Sequence, residues 1–203
     1  ASGAHVVQRH PSGLVRVVGA HGVVRRDVTG WRHEPPFDRW LTQVPGCQHG
    51  DHLTPLGRLL DFAVHDLGAR GIGATLILHP RGELTGAHEM VLPAPPELRL
   101  DRPHDLAPLR HALAQTDGAT VFDPTGALRS MGVHLVPSRE AEATVGALRG
   151  TRHTSAMRYS HDDPEATVVV VSADGPVTVV RAGLLVGFSP TPADSPAPAT
   201  DEA

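Results

Sequence analysis

Asp117 and the pair Arg152-His153 are the side chains whose types and setting suit chemistry on a phosphate ester. Asp117 is followed by Gly118-Ala119-Thr120, and 34 residues separate it from Arg152 in the run Gly150-Thr151-Arg152-His153-Thr154-Ser155-Ala156. A glycine loop that opens a helix presents unpaired backbone N–H groups and the positive end of the helix dipole, which suits a phosphate chain. Arg152 adds a planar, permanently charged fork able to grip two phosphate oxygens, and Thr151, Thr154 and Ser155 supply further donors. Asp117, ahead of a glycine that permits close approach, could orient or deprotonate a sugar hydroxyl or help hold Mg²⁺. Together these are parts for phosphoryl or nucleotidyl transfer, in which catalysis is mainly positioning and charge stabilisation. Singly, each is ordinary: Asp-Gly-Ala is usually a turn entering a strand, and Arg-His, Thr and Ser at a helix start are usually surface caps.

The elements around the two motifs must therefore bring them together. A turn at Asp123-Pro124-Thr125-Gly126 between Gly118–Phe122 and Leu128–Val136 predicts a strand pair that folds Asp117 back toward Arg152. A short helix near Ser138 to Val145 precedes the glycine loop, and Thr151 or Arg152 opens a longer one. Upstream, Thr54-Pro55 is a strong helix start, and Leu56, Leu59, Leu60, Ala63, Val64 and Leu67 fall on one helical face before Gly68. Gly71-Ile72-Gly73 leads into Ala74–Leu78, short and apolar enough for a buried strand. Short extended pieces are expected at Met90–Leu92 and Glu97–Leu100, then a helix through Leu106, Leu109, Ala112 and Leu113. Ala166–Ser172 and Pro176–Arg181 read as a hairpin around Ala173-Asp174-Gly175.

Residues 12–34 read as short strands in a hairpin or meander, and Phe37, Trp40, Leu41 and Val44 recur at helical spacing after Pro35-Pro36. The expected architecture is α/β: a mixed central β-sheet flanked by helices over 51–188, a small β-rich appendage over 1–50 with a polar hinge at 45–53, and a disordered tail over 189–203.

Bulk composition narrows the function. The 203 residues are 40% hydrophobic, and a net charge of −4 argues against a surface that holds nucleic acid or an anionic membrane by field alone. One cysteine, Cys47, forms no internal disulfide and makes no zinc cluster, and no apolar run is long enough to span a bilayer, so a cytoplasmic setting is expected.

The combination of motifs resembles the diadenylate cyclase domain, the nucleotide-binding module of the bacterial DNA-integrity-scanning protein and of membrane-bound cyclic di-AMP synthases. The likeness spans roughly 54–181: the Thr54-Pro55-Leu56 helix, Gly73-Ala74, Asp117-Gly118-Ala119, Gly132–Leu135, Gly150-Thr151-Arg152-His153 with Ala156, and Val169–Ser172. It implies condensation of two ATP into cyclic 3′,5′-di-AMP with release of two pyrophosphates, with Mg²⁺ or Mn²⁺, between two domains meeting face to face as a homodimer or within a larger homo-oligomer. It further implies Asp117, Arg152 and His153 as catalytic residues, with Asp117 also at the metal. Gly118, Ala119 and Leu135 would lie along the nucleotide, Leu135 at the adenine. Gly150, Thr151, Thr154 and Ser155 would lie at the phosphates, and Ser172 near the phosphate tail. Two positions depart from the pattern: Thr154 stands where the family has a second arginine, and Ala173 where it has an acid. The departures allow a second expectation, a weak or inactive module that binds ATP or cyclic di-AMP as a sensor. Arg149 or Arg158, close by in sequence, could supply the missing charge.

The remaining polar clusters are expected to be structural. Of fourteen histidines, neither His49-Gly50-Asp51-His52 nor His161-Asp162-Asp163 has zinc-ligand spacing, and both are expected in solvated loops. His65-Asp66 and Arg25-Arg26 are expected on the surface, and His134 should face away from the core by strand alternation.

Overall fold

The computed structural model describes residues 5–9, 15–19, 22–27, 30–34, 37–44, 54–90, 92, 94–148, 150–174 and 176–189. The hinge with Cys47 and the His49–His52 cluster, Arg149, and the tail from 190 lie outside the described residues.

The N-terminal strands β1 (Val6–Arg9), β2 (Val15–Gly19), β3 (Gly22–Asp27) and β4 (Gly30–His33) form an antiparallel meander in that order. Helix α1 (Phe37–Thr42) follows, and its Trp40 and Leu41, with Val44, are buried in the same core as the helix that begins at Pro55. The β-rich start is thus tied by apolar packing to the larger body, across the boundary expected near residue 50.

Thr54 caps α2 (Pro55–Asp61), its hydroxyl accepting from Gly57 N at 3.2 Å, with proline at the first helical position. The helix then widens into a π-type segment over Phe62–Leu67 and tightens into a 3₁₀ turn over Gly68–Arg70, closed by Gly71 in the left-handed conformation at φ +68°. Gly68 is therefore passed, not the exit. All six residues of the wide segment are buried, which corrects the surface expectation for His65 and Asp66. The period of the apolar stripe was right, but other elements cover the polar side. His65 Nε2 lies 3.1 Å from Glu34 Oε1, and Asp66 Oδ1 accepts from Arg110 Nη1 at 2.9 Å and Arg70 Nη1 at 3.3 Å. Arg25 is likewise buried, with only Arg26 exposed, because the inner side of β3 turns toward the His65 cluster.

The main sheet has seven strands in the order β11-β10-β9-β5-β7-β8-β6. These are β5 (Ala74–Leu78), β6 (His88–Met90), β7 (Ala119–Phe122), β8 (Leu128–Leu135), β9 (Thr167–Val171), β10 (Val177–Arg181) and β11 (Leu184–Phe188). Only β5 and β7 pair in parallel, joined by a crossover that carries α3 (Pro103–Gln115), so the sheet is mixed as expected. The β7–β8 turn forms where predicted: Gly126 N donates to Asp123 O at 2.9 Å, and Thr125 N to Asp123 Oδ1 at 2.8 Å. One sheet face packs against α1, α2 and α3. The other, through Ile77, Ala119, Val121, Val133, Val168, Val170 and Val180, packs against Ala156, Met157 and Tyr159 of α5 (Thr151–Asp162). Ser138 caps α4 (Arg139–Thr144), and Asp162 Oδ1 and Oδ2 accept from the Ser138 hydroxyl and N–H, both at 2.7 Å. His161 and Asp162 thus close α5, and Asp163 is fully buried beside His79, Thr85 and Tyr159, so the solvated loop expected for 161–163 does not exist.

Candidate functional site

The site lies over the start of β5 and β7, where the first turn of α5 meets the sheet. Thr75 pairs with Ala119 across β5–β7, and Ala119 pairs with Val133 across β7–β8, so these three side chains form a row on the face toward α5. The small Ala119 leaves the row concave. A groove of about 400 Å³ runs along it, lined among others by Gly118, Ala119, Val133, Leu135, Thr151, Arg152 and Ser155.

Glycines set its walls. Gly118 has φ +89°, and a Cβ there would stand 2.8 Å from the Gly132 carbonyl carbon, so any other residue would push β7 off β8. Gly150, at φ +91°, is the N-cap of α5 and brings no side-chain cap to the first-turn N–H groups of that helix. A Cβ on Gly73 would lie 2.8 Å from Arg152 Nη1, so the guanidinium rests over the approach to β5.

Arg152 Nη2 stands 3.7 Å from Asp117 Oδ1, with the two side chains 48% and 97% exposed. A pair this open gains little stability. Its carboxylate is therefore available to a ligand, and its guanidinium keeps donors free. Arg152 sits at the junction of the groove with a second cavity of about 530 Å³, lined by Gly150 to His153, Val170, Val171, Ser172, Ala173 and Asp174. His153 is half-buried there, its Nε2 3.2 Å from Thr178 Oγ1. Burial holds its pKa below the ordinary value, against the pull of Asp174, so it is neutral at pH 7.

The structure thus lines one groove with Gly118, Ala119, Leu135, Thr151, Arg152 and Ser155, holds Asp117 beside it against Arg152, and puts Gly150, His153 and Ser172 at the cavity it opens into. Thr154 faces a third cavity, with Leu148, Ser155 and Arg158. Its hydroxyl donates to Leu148 O at 3.1 Å and accepts from Leu148 N at 3.0 Å, so it braces the glycine loop. Arg158 lines the same cavity, with Nε donating to Val145 O at 3.2 Å. Sequence reasoning did not single out Thr75, Glu89, Val136 or Pro137, which also line the groove. Thr75 had a signal, a hydroxyl inside the apolar run 74–78. His134 is exposed, as strand alternation predicts, and lies at the groove's rim.

Asp117 is an exposed carboxylate, and among the described residues no three His, Cys, Asp or Glu side chains gather around a possible ion. That donor set fits a hard cation taking most of its ligands from substrate phosphates and water, as Mg²⁺ does. It does not fit a protein-caged metal.

Among described residues no helix is long and apolar enough to cross a membrane. Two solved structures resemble the chain. One is a hypothetical membrane spanning protein from Bacillus cereus (21% identity, 64% of this chain and 61% of that one, TM-score 0.47). The other is DacA from Staphylococcus aureus in a double-mutant form (20% identity, 66% and 85%, TM-score 0.38). The chain therefore spans about three-fifths of the length of the Bacillus cereus protein. None of the curated proteins compared with the chain matches it. The family model described as the DisA bacterial checkpoint controller nucleotide-binding domain matches residues 61–185, more than half of the chain and all of the groove, and the protein belongs to that family.

Proposed function

We propose that this domain is a diadenylate cyclase: it binds ATP in the groove and, facing a second copy, joins two ATP molecules into cyclic 3′,5′-di-AMP and two pyrophosphates. The observation that carries the reading is the approach of Asp117 Oδ1 to Arg152 Nη2 at the mouth of a nucleotide-sized groove in a domain of this family. Asp117 orients the ribose 3′-hydroxyl and takes its proton. The O3′–Pα bond forms on the nucleotide held by the opposite copy, the Pα–O bond to pyrophosphate breaks, and the electron pair departs with pyrophosphate. The same step in the other direction closes the ring, which suits a two-fold arrangement of identical sites. Arg152, Thr151, Ser155 and the first-turn N–H groups of α5 offset charge on the phosphates, Leu135 packs on the base, and neutral His153 with Ser172 lies along the phosphate tail. Asp117 would hold Mg²⁺ or Mn²⁺, which when bound supplies further neutralisation of phosphate charge.

A second reading, nucleotide binding without turnover, is favoured by Thr154, whose hydroxyl is spent on the loop where a second guanidinium would serve phosphates. Incubation with ATP and Mg²⁺ or Mn²⁺ followed by mass spectrometry separates the two. Cyclic di-AMP that disappears in Asp117→Asn supports the cyclase; product surviving that change removes Asp117 from the mechanism. Binding without product, converted to turnover by Thr154→Arg, supports the sensor.

A further inference from the structure

We propose that Thr75 is a specificity-determining residue whose hydroxyl hydrogen-bonds a ribose hydroxyl of the bound nucleotide, so that the groove prefers ribonucleotides to 2′-deoxyribonucleotides. The inference rests on the reading of the groove as a nucleotide site. Thr75 is 6% exposed, lies second in a strand whose other members are alanine, leucine and isoleucine, and lines the groove. Strand parity fixes its direction. It shares a face with Ile77, which packs toward α5, and stands in register with Ala119 and Val133, so its side chain belongs to the groove floor. It is the one hydroxyl in that row of three.

The row also gives the position along a ligand. Arg152 covers Gly73, two residues before Thr75 and so about 7 Å away along β5. Leu135 lies on β8, two strands from Thr75 and, because Val133 stands opposite Ala119, two residues toward the Gly73 end of the groove. A nucleotide with its phosphates at Arg152 and its base at Leu135 sets its sugar between them, beside Asp117 and Gly118, with Thr75 and Ala119 on the adjoining row of the groove floor. A buried donor facing a sugar hydroxyl discriminates most strongly against the ligand that lacks it.

Calorimetry with α,β-methylene-ATP and its 2′-deoxy counterpart tests this without turnover. The wild-type protein should bind the ribose form about fivefold more tightly, the worth of one ordinary hydrogen bond. Thr75→Val, nearly isosteric, should bring that ratio to about one by weakening the ribose form alone, and Thr75→Ser should restore it. Equal affinity of the wild type for both analogues overturns the assignment, as does a Thr75→Val protein that keeps the preference or loses both affinities equally. If the wild type binds neither analogue, the nucleotide reading of the groove falls as well.

Discussion

Two residues at the site make different kinds of demand on the chain. Arg152 is half exposed and pairs with Asp117 at 3.7 Å, so its role is to present a planar fork rather than to stabilise the fold. Arg152→Lys keeps the charge and loses the fork; ATP affinity by calorimetry should fall about tenfold while the melting temperature stays unchanged. Gly118 carries a backbone demand. At φ +89°, with 2.8 Å between a would-be Cβ and Gly132, Gly118→Ala should cost about 1–3 kcal/mol and shift Asp117, which immediately precedes it. Calorimetric melting and product formation should fall together in this variant, whereas in Asp117→Asn only product formation falls.

At the scale of elements, the buried polar seam between the N-terminal sheet and the segment following α2 governs the pH response. Glu34 accepts from Arg16 Nε at 2.8 Å and contacts His65 Nε2 at 3.1 Å, with Asp61 3.6 Å from the same imidazole and Arg25 close by. Burial lowers the His65 pKa against the pull of Glu34 and Asp61, so the folded chain keeps His65 neutral while the unfolded chain binds a proton near pH 6.5. The unfolded state then holds more protons, and stability rises with pH. The contribution is present above about pH 6.5 and is lost as pH falls below it. Urea midpoints should therefore drop from pH 7.5 to pH 5.5, and His65→Gln should flatten that dependence even if it lowers stability throughout. His153 is shifted in the same direction and will leave a residual slope.

At the scale of the molecule, one chain presents one groove, and a product with two identical linkages needs two. Specific activity in cyclic di-AMP formation should rise with protein concentration until the facing assembly saturates, and velocity sedimentation should show dimer over the same range. Activity strictly proportional to concentration in a preparation that sediments as monomer would remove the facing arrangement. Packing also ties α1 to the main sheet. A Cβ on Gly187 would lie 2.5 Å from Trp40, so α1 seats directly on β11, and the N-terminal strands approach the main sheet through that helix.

Local chemistry was legible wherever a few adjacent residues decide the outcome: the Thr54 cap with Pro55, the Asp123–Gly126 turn, the β9–β10 hairpin and the glycine-opened helix at Thr151. The β7–β8 turn even foretold that Asp117 returns to Arg152, since a hairpin reverses the chain whatever surrounds it. β11 and β1 were not read, because Leu184–Phe188 is a short apolar run without alternation and all four residues of Val6–Arg9 are exposed. His65, Asp66, Asp163 and Arg25 were assigned to solvent because polarity is a property of a residue, whereas burial depends on which distant elements cover it and bring counter-charges. Thr75 is the same case within the site. Its place on the groove floor follows from the pairing of β5 with β7 and β7 with β8, and strand order is set by packing among segments far apart in the chain. The sequence by itself determined the candidate groups and the local turns that aim them; only the tertiary structure decided which other side chains those groups face.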